Sequence, residues 1–205
     1  KEEFENFDSP DKTSLYTLIR RDEQGNLTTI PYNEAWPNKT QRAAGLLREA
    51  ARLAENESFK KYLNLRAEAL LSDDYLSSDM AWMDVKDNDV DFVVGPIETY
   101  EDGLFGYKAA HEAFLLIKDR EWSEKLNKFS KLLPQLQESL PVEDKYKQEM
   151  PGSDSDLGVY EAVYYAGDCN AGSKTIAINL PNDERVQTEK GSRKLQLKNS
   201  MRHKF

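Results

Sequence analysis

A single cysteine, Cys169, two histidines, His111 and His203, and no apolar run longer than five residues mark what this 205-residue sequence has little of. One cysteine cannot pair within its own chain, so an internal disulfide framework is excluded. With no histidine motif beside it, Cys169 reads as a buried thiol rather than a nucleophile. A membrane-crossing helix needs about 20 consecutive apolar residues, so none is encoded. Ten Gly and eight Pro are too few for a collagen-like or linker-like chain. Positive charge is in deficit too: 28 Lys and Arg face 37 Asp and Glu, for a net charge of −9. That balance disfavours nonspecific nucleic-acid binding, which needs a positive surface to displace counterions from phosphates. The exception is the acid-free stretch 190–205, with Lys190, Arg193, Lys194, Lys198, Arg202 and Lys204, which reads as a solvated face.

Aromatic residues are plentiful: three Trp, ten Tyr and eight Phe argue for a packed core. A globule of this length buries roughly 70% of its unfolded surface, enough to fold without a structural metal. Two short strands, 14–19 and 27–30, flank a turn at 23–26 in which Gly25 supplies a permissive backbone position. A helix follows Pro37 and Asn38, with Ala43, Leu46, Leu47, Ala50, Leu53 and Ala54 as its inward face. A second helix is predicted over 58–71 and a third over 74–83. From residue 90 the pattern changes: a strand over 90–94 is stopped by Gly95-Pro96, resumes over 97–100, and returns after a turn as a paired strand over 107–117, with a local helix over 109–114 as the alternative. An amphipathic helix spans 121–140, with Trp122, Leu126, Phe129, Leu132, Leu133 and Leu136 on one side and Pro134 bending it. Residues 141–157 read as a loop, and 158–166 and 174–179 as strands joined through 167–172. The fold class is α+β: a helical N-terminal part with a short hairpin (1–90), then a mixed or antiparallel β-barrel-like sheet with a packed helix (91–205).

Several familiar motifs are absent. His111-Glu112-Ala113-Phe114-Leu115 begins a zinc-peptidase H-E-x-x-H helix, but Leu115 occupies the place of the second imidazole. Asp87, Asp89, Asp91 and Glu98 share the ligand spacing of a calcium loop, yet its sixth position, which must be Gly, is Phe92. An acidic turn entering a strand is the better reading. There is no phosphate-cradling glycine loop and no G-x-S-x-G elbow.

What remains is a set of carboxylates and amides at strand-like positions. Glu98 and Tyr100, two apart on a strand, leave the same face, and Glu112 lies on the return strand. Asn179 and Asn182 bracket Leu180-Pro181, where proline ends a strand ladder and leaves polar groups available to a ligand. Two carboxylates and two amides suit an ammonium group and the adjoining peptide bond. Polar residues on a sheet edge are the structural alternative.

Residues Ile97–Asp102, then Glu112-Ala113-Phe114, then Ala177–Asp183 with Gln187-Thr188-Glu189, resemble the dipeptidyl peptidase III family of zinc exopeptidases, particularly its bacterial members. The resemblance is closest over 95–205. It implies a two-lobed enzyme that removes dipeptides from the free amino end of peptides, in a cleft between a helical zinc-bearing lobe and a lobe built on a β-barrel. By motif match, Glu98, Asn179 and Asn182 would hold the terminal amine and first peptide group, and Glu112 would support the amine-binding end. Tyr100 would hydrogen-bond near the scissile carbonyl.

The family's zinc helix and later glutamate motif lie downstream of the asparagine motif, beyond residue 205. The chain opens at Lys1 without an initiator Met and stops at Phe205 inside an opening helix, so a piece of a longer enzyme is the expectation. No cofactor is expected here, with zinc in the parent, and without a metal to activate water this piece alone would be inactive. The expected partners are short peptides with a free N-terminus and the missing catalytic lobe, not nucleic acid or membrane, in the cytoplasm. Two other readings stay open: a noncatalytic peptide- or protein-binding domain, and a sugar hydrolase using Glu98 and Glu112 as acid and nucleophile.

Overall fold

A computed structural model describes residues 1–147, 156–170 and 175–204. The chain forms two compact units, one comprising Lys1–Ala81 and Val94–Ala113, the other Trp82–Val93 and Phe114–Phe205. Two long strands, β3 (Val90–Glu98) and β4 (Ala110–Lys118), each contribute to both.

In the first unit, α1 (Glu2–Asn6) leads to an antiparallel hairpin, β1 (Thr17–Arg21) and β2 (Leu27–Pro31), in register from Thr17 opposite Pro31 to Arg21 opposite Leu27. Asp22 Oδ1 accepts the N–H groups of Gln24 and Asn26, and Gly25 takes the φ of +88° that closes the turn. Then come α2 (Tyr32–Ala35), α3 (Pro37–Leu53), α4 (Glu57–Ser72) and α5 (Leu76–Met83). Asn56 caps α4 by accepting the Phe59 N–H.

The inward face of α3 differs from the expected one. Thr40, Ala44, Leu47 and Ala51 are buried, whereas Leu46 and Leu53 are 56% and 84% exposed. The facing helix α4 supplies bulk through Phe59, Tyr62, Leu63 and Leu70, all buried, so α3 turns its small residues inward and comes close.

Gly95-Pro96 does not interrupt β3, contrary to expectation. Gly95 has φ +144°, and a Cβ there would lie 3.2 Å from Arg66 Nη1 and 3.3 Å from Tyr75 Cε1. Glycine therefore lets the strand pass a buried guanidinium that is paired with Asp79 and lies over the rings of Tyr62 and Tyr75. Because β3 is an edge strand, Pro96 needs no ladder donor on its open side.

The sheet runs β3-β4-β5-β7-β6, with β5 at Asp156–Gly167, β6 at Ala177–Leu180 and β7 at Arg193–Leu197; it is mixed and curled, as the α+β barrel-like reading expects. β5 and β7 pair parallel, β6 and β7 antiparallel. The helix predicted over 121–140 is two, α6 (Arg120–Ser130) and α7 (Leu133–Glu138), because Pro134 fits only the first turn of a new helix. Its predicted buried side is largely in solvent: Trp122 is 45% exposed, Phe129 65% and Leu136 56%. Two more helices, α8 (Glu184–Lys190) and α9 (Lys198–Lys204), complete the chain. Cys169 is buried, its thiol donating to the Ala166 carbonyl. Residues 148–155 of the predicted loop, 171–172 of the predicted strand connection and 174 of the predicted strand lie outside the described residues.

The basic stretch 190–205 is only in part a solvated face: Arg202 and Lys204 are exposed, but other members are not free in solvent. Arg193 is fully buried in the second unit, donating to Asp91 Oδ2 at 2.6 Å, to Tyr160 Oη at 3.1 Å and to the Trp82 carbonyl at 3.3 Å. Lys190 pairs with Asp84, and Lys198 with Asp119 and Glu161. Asp91 also accepts the Trp82 indole N–H at 2.8 Å, so its carboxylate serves the core rather than a calcium loop. Arg193→Met leaves Asp91 buried opposite an apolar group and is expected to cost about 3–5 kcal/mol, read as a lower urea midpoint. Adding Asp91→Leu should recover much of the loss.

Candidate functional site

The candidate residues fall into two groups, one in each unit. Glu98, Tyr100 and Glu112 belong to the first, Asn179 and Asn182 to the second.

Glu98 is the last residue of β3 and is half-buried. Tyr100 lies past the strand in a turn and is 69% exposed, so the two do not share a strand face as expected. The cause is Asp102, whose carboxylate accepts the N–H groups of Leu104, Phe105, Tyr107 and Lys108, while its own N–H donates to the Thr99 carbonyl. These bonds replace a strand ladder and turn the chain immediately after Thr99. Burial works to raise the Asp102 pKa, but the four N–H donors outweigh it and hold the group below the usual carboxylate range.

The far end of the same loop is equally fixed. Lys108 Nζ donates to the carbonyls of Lys12 and Ser14 and to Thr17 Oγ1, at 2.7–2.9 Å. Burial lowers its pKa, opposed by Asp102 and Asp11. Tyr32 Oη donates to the Ala109 carbonyl at 2.9 Å, pinning the start of β4. Burial, aided by Asp102 and Asp73, pushes the Tyr32 pKa up to about 12, so the phenol stays a donor. β4 then delivers Glu112, only 4% exposed. Its neighbour His111 projects to the opposite face, between the rings of Tyr32 and Trp36 at 5.3 and 5.7 Å.

In the second unit, β6 alternates: Ile178 and Leu180 are buried, Ala177 and Asn179 exposed. The strand ends at Leu180, before a buried Pro181 reached through a cis peptide bond, and Asn182 is exposed. Gln187 Nε2 donates to the Pro181 carbonyl at 2.8 Å, and Asp183 caps α8 by accepting the Arg185 N–H at 2.9 Å. The Arg185 guanidinium bonded to Asp183 keeps that carboxyl low in pKa. Gln187, a member of the sequence motif, thus holds the turn that presents Asn182.

Sequence reasoning assigned no role to Asp102, Lys108 or Gln187, although Asp102 and Gln187 lie within the quoted motifs. Asp102-Gly103 carried a local turn signal; the partners of Lys108 lie more than 90 residues away and left none.

The metal question can be put to the donors present. His111 sits among aromatic rings of the first unit and His203 on α9 of the second. Among the described residues no group of three or more His, Cys, Asp or Glu could hold a metal ion. These side chains do not fit a zinc centre, and no step below runs through one.

The model of the peptidase family M49 matches residues 11–205. The chain belongs to peptidase family M49. It is similar to the dipeptidyl peptidase III of Caldithrix abyssi, with 50% identity and a TM-score of 0.90 over 97% of this chain and 39% of that one. It is also similar to dipeptidyl-peptidase III from Corallococcus sp. strain EGB, with 41% identity and a TM-score of 0.81 over 96% of this chain and 37% of that one. Nudix hydrolase 3 of Arabidopsis thaliana is 38% identical over 200 residues, 98% of this chain and 26% of that protein. This M49 chain therefore spans only a quarter to two-fifths of the length of these relatives.

The Asp102 cluster gives a test. Asp102→Ala should loosen amide protection at Leu104 and Tyr107 and lower stability by roughly 1 kcal/mol. Because the folded carboxyl has a depressed pKa, its contribution is complete above the unfolded value of about 3.9 and is lost as pH falls through the folded value. The stability gap between parent and variant should close on acidification below that point, as measured by urea unfolding across pH.

Proposed function

We propose that this chain is the substrate-binding part of an M49 dipeptidyl peptidase, gripping the free amino end of a short peptide while the rest of the enzyme supplies the metal and the cut. In this reading Glu98, Asn179 and Asn182 hold the ammonium group and first peptide unit, through a charge-assisted bond from the amine to the carboxylate and amide bonds to the backbone. Tyr100, in the turn after β3, donates toward the scissile carbonyl and offsets charge as it develops there. Glu112, buried on β4, supports the amine-binding end from within the fold. Zinc would be held by the rest of the longer enzyme rather than by residues of this chain, and would supply Lewis-acid chemistry there.

The observation that carries the reading is the family match over residues 11–205, which encloses both polar motifs, together with the exposure of Tyr100, Asn179 and Asn182. The sugar-hydrolase alternative is less well supported, because Glu112 at 4% exposure is poorly placed to be a nucleophile and the family is one of peptidases. A noncatalytic peptide-binding role would use the same surface; what separates it is turnover by the longer protein.

Calorimetric titration with tetra-alanine and its N-acetylated form tests the grip. The free amine is expected to bind roughly tenfold or more tightly, and Glu98→Gln to erase the difference. Equal affinity of the two peptides would overturn the assignment.

A further inference from the structure

A cavity of about 380 Å³ opens in the first unit, away from the face that Glu112 occupies. Its walls are the indole of Trp36 and the side chains of Ala43, Leu70 and Val94, drawn from α3, α4 and β3. The volume falls in the range of small-molecule sites, and the lining has the usual character of one, apolar with few polar groups. Those polar groups are Lys39, Thr40 and His111. Thr40 adds no unmet demand, since its hydroxyl bonds to the Trp36 and Pro37 carbonyls at 3.1 and 3.0 Å.

The other two set the charge preference. Lys39 is exposed on the first turn of α3 and makes no ion pair among the described residues. That turn contains no acidic residue, and Trp36 at the N-cap gives it no side-chain cap. A cation at the positive end of a helix dipole is the opposite of the usual arrangement, and no acidic residue is among the cavity's lining to offset it. His111 faces the same space, edge-on to Trp36 at 5.7 Å and 89°. Burial holds its pKa below the ordinary value, so near neutral pH it offers a hydrogen-bonding imidazole without a second charge. An occupant that satisfies all of this has a flat apolar body and one anionic end.

We propose that this cavity is a binding site for a small aromatic carboxylate, its ring between Trp36, Ala43, Leu70 and Val94 and its carboxylate on Lys39 with His111 as hydrogen-bond partner. The cavity lining contains none of the residues assigned to the amine grip. His111 and Glu112 are consecutive on β4, so one faces the cavity and the other faces away. The inference does not depend on the peptide-binding reading, and its test uses no peptide.

The 205-residue chain is titrated with 4-phenylbutyrate and with 4-phenylbutan-1-ol, by calorimetry and by following the Trp36 indole N–H and His111 ring resonances. The acid is expected to bind one to one with a Kd of roughly 1 mM, as its dozen heavy atoms allow, and to shift both resonances. The alcohol should bind about tenfold more weakly, the loss of one charge-assisted contact. Lys39→Gln, an exposed change with no partner to lose, should bring the acid down to the alcohol. Ala43→Phe should abolish both by filling the box, with the circular dichroism of the parent retained. The proposal is overturned if the acid shows no saturable binding, if Lys39→Gln leaves its preference over the alcohol intact, or if the moved resonances exclude Trp36 and His111. Should Ala43→Phe fail to fold, the Lys39→Gln comparison and the resonance shifts decide alone.

Discussion

A guanidinium with no exposed surface sits in the interior of the unit formed by Trp82–Val93 and Phe114–Phe205, and its neighbours are organised around its needs. Arg193 opens β7, yet its side chain reaches Asp91 on β3, Tyr160 on β5 and the carbonyl of Trp82 at the end of α5, and it stacks on the Trp82 ring at 4.3 Å. A charge removed from water is tolerable only when paired and hydrogen-bonded on several sides. The Trp82 indole completes the arrangement by donating to Asp91. Strands far apart in sequence are thus held in one register by a group that cannot be left alone. The first unit repeats the device in Arg66, which meets Asp79 and the rings of Tyr62 and Tyr75 and crowds the position of Gly95, whose positive φ itself favours glycine.

Functional side chains are positioned by the same logic at smaller scale. Asp102 replaces a strand ladder with four backbone donors, Lys108 ties the far end of that loop to three oxygens near residues 12–17, and Gln187 fastens the turn before Asn182. None of these three residues is proposed to touch substrate. Each removes a loop freedom that would otherwise have to be lost on binding, which is how a polar grip is preorganised.

Much of the secondary structure was legible beforehand because it depends on local signals. The hairpin around Gly25, the helix α4 capped by Asn56, and the strand of β5 all lie within a few residues of their predicted bounds. The candidate site was legible only by likeness, since a carboxylate and a tyrosine two apart and amides three apart have no geometry of their own. Illegible were features decided by partners: the rotation of α3, set by the bulk of α4; the passage of β3 through Gly95, set by Arg66; and the exposure of α6 and α7, whose apolar stripe periodicity assigns to an interior. Periodicity says which residues share a face, not whether anything lies against it.

The sequence by itself determined the α+β class, the order of most elements, the absence of a disulfide framework, and membership of a peptidase family through two short polar motifs and the spacing between them. These follow from backbone propensities and from residue identities, which act locally. Only the tertiary structure decided that a basic run supplies the buried Arg193, that Tyr100 leaves the strand bearing Glu98, and that His111 joins an aromatic box. Each of those outcomes turns on which distant group is within reach of a charge or a ring, and chain order carries no record of such distances.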